Sequence, residues 1–319
     1  MVESSARGRV NLIGDHTDYT GGLVLPMVLD CRTTIEGDYT TDGRWHLESG
    51  DEPEPTSFAI PDVDLTELQP RWGRYVAAVV REIHALGIPV RGFRGRVTTT
   101  IPIGSGLSSS AALEVAVARL VLAGDSIHLS DSEVAQLCRR AEHAASGVPC
   151  GIMDQLCIVA GRPGHATLID CDSLDITHIA LPDHLEVVVE FIAPRTLAGR
   201  EYADRVDETR RAEQRIGPLR TATIAEVGSI DDPLIRRRAR HVVSENARVR
   251  DFVSALAAGD DAEVGRLMVE SHRSLAVDFG TSTPTMDAAV DQLMATPGVI
   301  GARMTGGGFG GCVVALRRR

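Results

Sequence analysis

Apolar and polar positions alternate along the first part of the chain in a way that is typical of β-strands. Short apolar runs bounded by glycine and polar turns indicate a strand-rich region at residues 31–60 and a final strand that begins near Cys312. Because the run EVVVEFI is almost continuously apolar, we expect its strand to be buried on both faces. This strand is predicted at residues 185–192, and the other strands are predicted at residues 9–13, 23–29, 97–101 and 165–170.

Apolar residues three and four positions apart predict helices elsewhere, above all after residue 200. A chain of 319 residues that mixes strands and helices is long enough for two lobes. We place their boundary between residues 172 and 182, which predicts an N-terminal domain at 1–175 and a C-terminal domain at 176–319. The helices are expected at residues 65–86, 110–122, 130–145, 202–214, 234–258, 262–275 and 285–296.

The stretch IPIGSGLSSSAALEVAVARLVL combines the end of a strand, a glycine turn and a helix. Gly104 and Gly106 can adopt backbone angles that side chains disfavour, and Ser108 or Ser109 can cap a helix that starts near Ser110. The first turn of such a helix offers free N–H donors and the positive end of the helix dipole. A phosphate group is therefore the expected ligand, although an ordinary tight connection has the same pattern.

Lysine is absent from the chain, and all 33 basic residues are arginine. This absence excludes a Walker A loop, the strand lysine of protein kinases and a Schiff-base lysine. A phosphate at the glycine turn must therefore be held by backbone N–H groups, a metal ion and arginine.

A second polar segment, GRVNLIGDHTDYTGGLVLP, brings Asp15, His16, Thr17 and Asp18 together after a short strand. These side chains could cap an Asp-rich turn. Alternatively, the carboxylates and the imidazole could bind a ligand that is rich in hydroxyl groups, such as a sugar. The residues alone leave both readings open.

Two other places allow a structural and a functional reading. In GVPCGIMDQL, a turn that leads into an apolar stretch, Asp154 is either a buried cap or a functional base. Trp72 and Tyr75 belong either to the core or to the wall of an adenine pocket, and their spacing favours the core.

The segment GARMTGGGFGGC carries glycine at five of the six positions from 306 to 311. Such a run lowers stability unless the backbone must approach another group closely. We therefore expect a close approach at this loop.

The net charge, the cysteines and the absence of long apolar runs limit the classes of partner and the cellular location that we expect. A net charge of −11 argues against a nucleic-acid surface, which needs clustered positive charge. The six cysteines form neither a CxxC pair nor a zinc-binding pattern, which indicates reduced thiols. We see no leader and no apolar run near the roughly 18 residues that span a bilayer, so we expect a cytoplasmic protein without a membrane partner.

Three segments, in this order, resemble the motifs of the GHMP small-molecule kinases and, among them, of the galactokinases. GRVNLIGDHTDYTGGLVLP is similar to the galactokinase signature, IPIGSGLSSSAALEVA to the GHMP phosphate loop, and RMTGGGFGGC to the third GHMP motif. CGIMDQL, the RTLAGREY of residues 195–202 and the RW-x-x-Y of Trp72 and Tyr75 also resemble galactokinase segments. The likeness covers nearly the whole chain.

The resemblance implies an α+β fold with two lobes, and an active site between them. The N-terminal lobe would be like domain 2 of ribosomal protein S5, and the C-terminal lobe would be ferredoxin-like. The implied function is that of an ATP-dependent sugar kinase that uses Mg²⁺, and we expect a monomer. It would transfer the γ-phosphate of ATP to the anomeric hydroxyl of galactose, which yields galactose 1-phosphate and ADP.

The resemblance also implies roles for individual residues. Asp154 matches the catalytic Asp, and Arg9 matches the Arg that assists it. Ser110 and Glu142 correspond to magnesium ligands, whose oxygen atoms suit that ion. The ATP-binding positions are Ser49, Trp72, Tyr75, Gly104, Ser105, Gly106, Leu107, Ser108, Ser109 and Ser110. The sugar-binding positions are Asp15, His16, Thr17, Asp18, Gly151 and Tyr202.

Asp15 departs from the family's pattern, because galactokinases usually have Glu at this position. A carboxylate that is one methylene shorter reaches less far, and a single hydrogen bond can decide between acceptors. Another sugar or a cyclitol is therefore an alternative acceptor. A non-catalytic galactose sensor is less favoured, because the serines of the phosphate loop, Asp154 and Arg9 are all present.

Overall fold

The computed structural model describes residues 1–60, 63–123, 128–194 and 200–319. They form two compact units, neither of which is continuous in sequence. The first unit comprises Met1–Gly8, Leu29–Pro102 and Ser108–Ala160. The second comprises Arg9–Val28, Ile103–Leu107 and Gly161–Arg319. The domain boundary near residue 175 stays a prediction.

Most of the predicted strands and helices are confirmed. Within the described residues, a 3₁₀ turn at Asp18–Thr20 and a π-helical turn at Leu275–Phe279 accompany them. The strands are β1 (Val2–Asn11), β2 (Leu23–Val24), β3 (Pro26–Thr40), β4 (Arg44–Ser49), β5 (Thr56–Ala59), β6 (Gly92–Thr99), β7 (His165–Asp170), β8 (Ile176–Ala180), β9 (Leu185–Ala193), β10 (Val299–Met304) and β11 (Gly311–Arg318). The α-helices are α1 (Trp72–Ala85), α2 (Ser109–Leu122), α3 (Asp131–Ser146), α4 (Met153–Ala160), α5 (Arg200–Ile216), α6 (Ile224–Gly228), α7 (Pro233–Ala258), α8 (Asp261–Ser274) and α9 (Pro284–Met294).

The first unit contains a sheet with one aromatic face and a group of packed helices. β3 is antiparallel to β6, β4 is parallel to β6, and β5 is antiparallel to β4. On the buried face, the ring of Trp45 lies 5.2 Å from that of Phe93 and 6.1 Å from that of Phe58, between centroids. α1, α2 and α3 contact one another, and α3 also contacts α4. α2 is mostly buried because its residues after Ser110 are largely Ala, Leu and Val.

The second unit contains the three-stranded antiparallel sheet β10-β11-β9 and helices α5 to α9. Its core is formed by apolar residues of the helices together with residues of β10 and β11. In the same unit, β7 pairs with β2 on one side and with β8 on the other.

Two sequence expectations about single elements are wrong. β9 is not buried on both faces: most of its residues are half-buried, and the side chain of Phe191 is 46% exposed. β11 is instead the buried strand, because it lies between its two neighbours, whereas β9 pairs with β11 alone in the part of the chain that is described. The helix predicted from residue 65 begins at Trp72, since the residue before Pro70 is disfavoured in a helix.

Two general expectations can be compared with the described residues. None of their helices combines the length and the apolar character needed to cross a membrane. In the described residues, none of the six cysteines forms a disulfide bond with another.

Candidate active site

The predicted phosphate loop has the backbone that its glycines suggested. Gly104 and Gly106 have φ angles of +74° and +77°, in the left-handed region that glycine adopts freely. α2 follows at Ser109, so the N–H groups of its first turn are directed out of the helix at the end of this loop. The predicted order of glycine turn and helix N-terminus is thus confirmed, and it suits an anion.

Ser108 does not cap α2 with its side chain, which corrects one expectation. It is the residue that precedes the helix, but its φ of 64° is left-handed and no side-chain capping bond is made. Its hydroxyl instead donates a hydrogen bond to Oδ2 of Asp154 at 2.5 Å. Ser108, the residue before α2, is therefore joined directly to the predicted base within the first unit.

Asp154 lies in the first turn of α4, a helix that the sequence analysis described only as an apolar stretch after a turn. The carboxylate is half-buried and accepts the hydrogen bond from Ser108. The positive end of the helix dipole also stabilises a carboxylate in a first turn. Gly151 is buried just before this helix.

A carboxyl pair that the sequence analysis did not identify as a unit lies beside Asp154. Glu114 is fully buried on α2, hydrogen-bonds Glu142 and receives the Nε2–H of Gln155 at 3.1 Å. Burial raises the pKa of Glu114 well above its usual range, and the neighbouring Glu142 raises it further. Burial also raises the pKa of Glu142, which hydrogen-bonds Ser110. A Glu within the otherwise apolar segment AALEVAV was the signal for this pair.

The residues predicted for the adenine side lie in the first unit. Trp72 and Tyr75 are half-buried on α1, and the indole N–H of Trp72 donates to the Glu54 carbonyl at 3.2 Å. Burial raises the pKa of Tyr75, and the nearby Glu142 raises it further. The hydroxyl of Ser49 accepts the backbone N–H groups of Asp51 and Glu52. Their contact with a nucleotide stays a prediction.

Arg9 is bound to the phosphate loop within the second unit. Its guanidinium donates to the Gly106 carbonyl at 2.7 Å, and its backbone N–H donates to the Leu107 carbonyl at 3.2 Å. Ser105, which is also buried, receives the N–H of Leu107 on its hydroxyl. Arg9 therefore fixes the shape of this loop.

The residues of the predicted sugar signature are buried and closely bonded. Asp15 pairs with Nη2 of Arg303 at 2.6 Å, and it accepts the N–H of Gly306 at 2.9 Å. Burial raises the pKa of Asp15, and Arg303 opposes this shift. The hydroxyl of Thr17 lies 2.8 Å and 2.7 Å from the carbonyls of Gly14 and Leu23, so it holds the loop.

Aromatic rings surround His16. Its ring centroid lies 4.7 Å from that of Phe279 and 5.5 Å from that of Tyr202, and its Nδ1 is 3.1 Å from the hydroxyl of Tyr19. Asp18 is buried in the adjoining 3₁₀ turn. Tyr202 belongs to the segment RTLAGREY, of which residues 195–199 lie outside the described residues.

Left-handed backbone in residues other than glycine marks all three motifs. His16 and Ser108 have φ angles of 64°, and Phe309 has 59°. In the described chain, Leu174 is the other residue of this kind. Such conformations cost roughly 1–3 kcal/mol and concentrate at functional sites, so they agree with the motif assignment.

The third motif makes the close approach that its glycines predicted. A Cβ atom at Gly308, whose φ is +75°, would lie 2.4 Å from the carbonyl oxygen of Thr281. The N–H of Phe309 donates to the same carbonyl at 2.8 Å. Glycine at position 308 is therefore required by a contact within the protein itself.

Helix α7 holds the sugar signature with polar side chains that the sequence analysis missed. Glu245 accepts the N–H of Gly14, and His241 lies 3.1 Å from the Asp15 carbonyl. Burial raises the pKa of Glu245, but Arg248, His241 and Arg303 outweigh it and lower the pKa to about 2. His241 and Glu245 occupy positions of the helix where apolar residues would continue the buried stripe. Polar residues at such positions were the sequence signal that could have identified them.

The buried His241 predicts a stability change in mild acid. Burial lowers its pKa from 6.5 to about 4, although Glu245 opposes this shift. Between these two pKa values the unfolded chain binds a proton that the folded protein does not, so the contribution to stability is present above pH 6.5 and is lost as the pH falls. We expect His241 to account for a loss of about 2 kcal/mol between roughly pH 7.5 and pH 5.

Urea unfolding of the wild type and of His241→Gln at both pH values measures this contribution. The variant should show a correspondingly smaller pH dependence, while His84→Gln, at an exposed position on α1, should keep the wild-type dependence. Equal pH dependence in the wild type and in His241→Gln would contradict the prediction.

Three family models match segments of the chain, and each of these segments contains one of the three motifs described above. The galactokinase galactose-binding signature matches residues 3–38. The GHMP kinases N terminal domain matches residues 74–162, and the GHMP kinases C terminal model matches residues 252–318.

A human galactokinase is 44% identical to the chain, over 98% of this chain and 82% of its own length. The chain belongs to the galactokinase family. Within this family, the crystal structure of the Lactococcus lactis galactokinase, complexed with galactose, superposes with a TM-score of 0.93. It is 31% identical and covers 99% of this chain and 86% of its own.

A mevalonate kinase of Methanococcus jannaschii shares the fold, with a TM-score of 0.71 and 22% identity over 99% of this chain and 90% of its own. The α+β GHMP kinase fold predicted from the motifs is thereby confirmed. As a member of the galactokinase family, the chain is an ATP-dependent sugar kinase. The roles of the individual residues stay predictions.

Proposed function

We propose that the chain transfers the γ-phosphate of ATP to the anomeric hydroxyl of galactose, with galactose 1-phosphate and ADP as products. The observation that carries this proposal is the hydrogen bond between Ser108 and Asp154, which joins the phosphate loop to a carboxylate that can act as a base. The match to the galactose-binding signature and the likeness to a galactokinase complexed with galactose support galactose as the acceptor.

Asp154 is proposed as the general base. Its carboxylate takes the proton of the anomeric hydroxyl as the hydroxyl oxygen forms its bond to the γ-phosphorus, and the bond from that phosphorus to ADP breaks. The hydrogen bond from Ser108 restricts the rotation of the carboxylate, which keeps one oxygen in a fixed direction. General bases of this kind contribute about 10²–10⁴-fold to a rate.

The phosphates of ATP are proposed to bind the segment Gly104–Ser110, because the chain has no lysine to hold them. The N–H groups of the first turn of α2 can donate to phosphate oxygens in a preorganised direction. Arg9 keeps the preceding loop in shape and adds positive charge to it. Ser49, Trp72 and Tyr75 are proposed for the adenine side.

Ser110 and Glu142 would hold the magnesium ion that the family resemblance implies. Their hydroxyl and carboxylate oxygens are in hydrogen-bond contact, and oxygen is the donor that this ion prefers. Among the described residues, no three His, Cys, Asp or Glu side chains are grouped to hold a metal ion. The usual Mg²⁺ site at phosphates uses one or two carboxylates besides substrate and water. When bound, the ion neutralises phosphate charge.

The acceptor is proposed to bind the segment Asp15–Asp18, together with Gly151 and Tyr202. Hydroxyl groups of a sugar need both donors and acceptors, and the imidazole, the carboxylate of Asp18 and the phenol of Tyr202 provide them. The aromatic rings around His16 limit how that imidazole can turn.

Release of ADP with Mg-ATP and a panel of acceptors tests the proposal. The panel contains galactose, 2-deoxygalactose, arabinose, glucose, mevalonate, homoserine and a cyclitol. We expect galactose to be turned over fastest, and phosphorus NMR to place the phosphate on the anomeric oxygen. Turnover of another polyol without turnover of galactose would overturn the choice of acceptor. Asp15, with its shorter carboxylate, would then be the first residue to mutate in a search for the cause.

A further inference from the structure

Four buried side chains bind the backbone of the sugar signature. Glu245 accepts the N–H of Gly14 at 3.0 Å, and Asn246 accepts the N–H of Leu23 at 2.7 Å. The ring of His241 lies 3.1 Å from the carbonyl oxygen of Asp15. Arg303 donates from Nη1 toward the carbonyls of Asn11 and Leu12, at 3.3 Å and 3.1 Å. We call these four side chains, Arg303, His241, Glu245 and Asn246, the signature clamp.

An ion pair joins the signature clamp to Asp15. Arg303 is 0% exposed and its Nη2 lies 2.6 Å from Asp15, which is 1% exposed. The same nitrogen lies 3.9 Å from Glu245, whose other oxygen pairs with Arg248 at 2.7 Å. Ser271 also donates its hydroxyl to Glu245. Charged groups are buried without partners only at great cost, so these groups hold one another in a single arrangement.

The planar fork of Arg303 is essential to this arrangement. One guanidinium nitrogen serves the carbonyls of Asn11 and Leu12 in the first half of the signature, while another serves the carboxylate of Asp15. Lysine carries the same charge but presents a single ammonium group on a flexible stem, so it cannot make these contacts together.

We propose that the signature clamp sets the affinity for the acceptor by fixing the backbone from Gly14 to Asp18. The inference rests on the proposed function of this segment. Its members are positioning residues, because they act through the loop. The side chain of Asp15 is the point at which Arg303 holds that loop, so the length of the carboxylate at this position is matched to Arg303.

His16 shows how the position of the loop reaches the acceptor. It follows Asp15 directly, has a left-handed backbone and places its ring against Phe279 and Tyr202. Because the two residues are consecutive, we expect a shift of the Asp15 backbone to displace the ring of His16 from these contacts. Displacements of about 1 Å in such a site can cost up to about 100-fold in activity.

Arg303→Lys tests the clamp, and Arg317→Lys is its matched control. Arg317 lies on the adjacent strand β11, is 41% exposed and pairs with Glu186. We expect Arg303→Lys to raise the KM for the acceptor by about tenfold or more, with the KM for ATP within about twofold. Amide hydrogen exchange in residues 11–23 should become faster, while exchange in β3 and β6 is unchanged. The control should match the wild type in every measurement.

A merely structural role gives a different result. In that case Arg303→Lys lowers the melting temperature, but the folded variant keeps the wild-type KM for the acceptor, and the proposal is overturned. Equal changes in the KM values for acceptor and ATP also overturn it. If Arg303→Lys does not fold, Asn246→Leu removes a single contact to the loop, and it must raise the KM for the acceptor selectively for the proposal to stand.

Acceptor turnover by the wild type shows whether the proposed function fails. The comparison of Arg303→Lys with the wild type shows whether the signature clamp fails. If the wild type uses an acceptor other than galactose, the same comparison is made with that acceptor. If it turns over no acceptor at all, hydrogen exchange decides: unchanged exchange of residues 11–23 in Arg303→Lys overturns the clamp, and faster exchange confined to them supports it.

Discussion

Asp154→Asn is expected to lower kcat by about 10²–10⁴-fold, the range that a general base contributes. Asparagine has the shape of aspartate and can still accept the hydrogen bond from Ser108, so the loop should keep its structure. It cannot take the proton of the acceptor hydroxyl at neutral pH. The loss should therefore appear in the chemical step, with ATP affinity within about twofold of the wild type.

Single-turnover kinetics and calorimetric titration with ATP separate the two effects. Asp207→Asn is a suitable control, because Asp207 lies exposed on α5 and pairs only with a neighbouring arginine of the same helix in the contacts described. The control should retain the wild-type rate. Wild-type turnover by purified Asp154→Asn would remove Asp154 from the mechanism.

Gly14→Ala is expected to lower the free energy of unfolding by about 2–5 kcal/mol, the sum of backbone strain and steric overlap. Gly14 has a φ of +96°, which an alanine rarely adopts. Its Cβ would also lie 2.7 Å from the carbonyl oxygen of Leu23 and 2.8 Å from Cα of Val24. Both are backbone atoms, so they cannot rotate away, and the N–H of Gly14 would move from Glu245.

Gly43→Ala provides a control that separates strain from overlap. Gly43 has a φ of +67°, but among the described residues no heavy atom beyond its two chain neighbours lies within 4 Å of the position of its Cβ. This variant should lose only about 1–2 kcal/mol, from backbone strain. Urea unfolding of both variants measures the difference, and an equal loss in the two would show that the packing around Gly14 is not the cause.

The phosphate loop shows which structural features can be predicted from residues that are neighbours in the chain. The positive φ of Gly104 and Gly106, and a helix that starts at Ser109, follow from the glycines and from the apolar spacing that succeeds them. The hydroxyl of Ser108 could not be assigned in the same way. A cap was available within three residues, yet the hydroxyl bonds to Asp154, 46 residues away.

The environment of Asp15 was likewise beyond prediction. Its position in the signature was clear from the motif, but its partners Arg303 and Gly306 come from a segment almost 300 residues later. Glu245 and His241 looked like ordinary polar residues of a long helix. Their function depends on which backbone groups that helix meets, and no local pattern contains that information.

Sequence alone determined the elements of this protein, its motifs, its family and the chemistry available to it. These depend on residues that are near neighbours in the chain: helical spacing, glycine at turns and the order of polar groups within a motif. Tertiary structure alone decided which polar groups are paired, which are buried and how their pKa values shift. Desolvation and hydrogen bonding act between atoms that are close in space, and here the partners are distant in the chain.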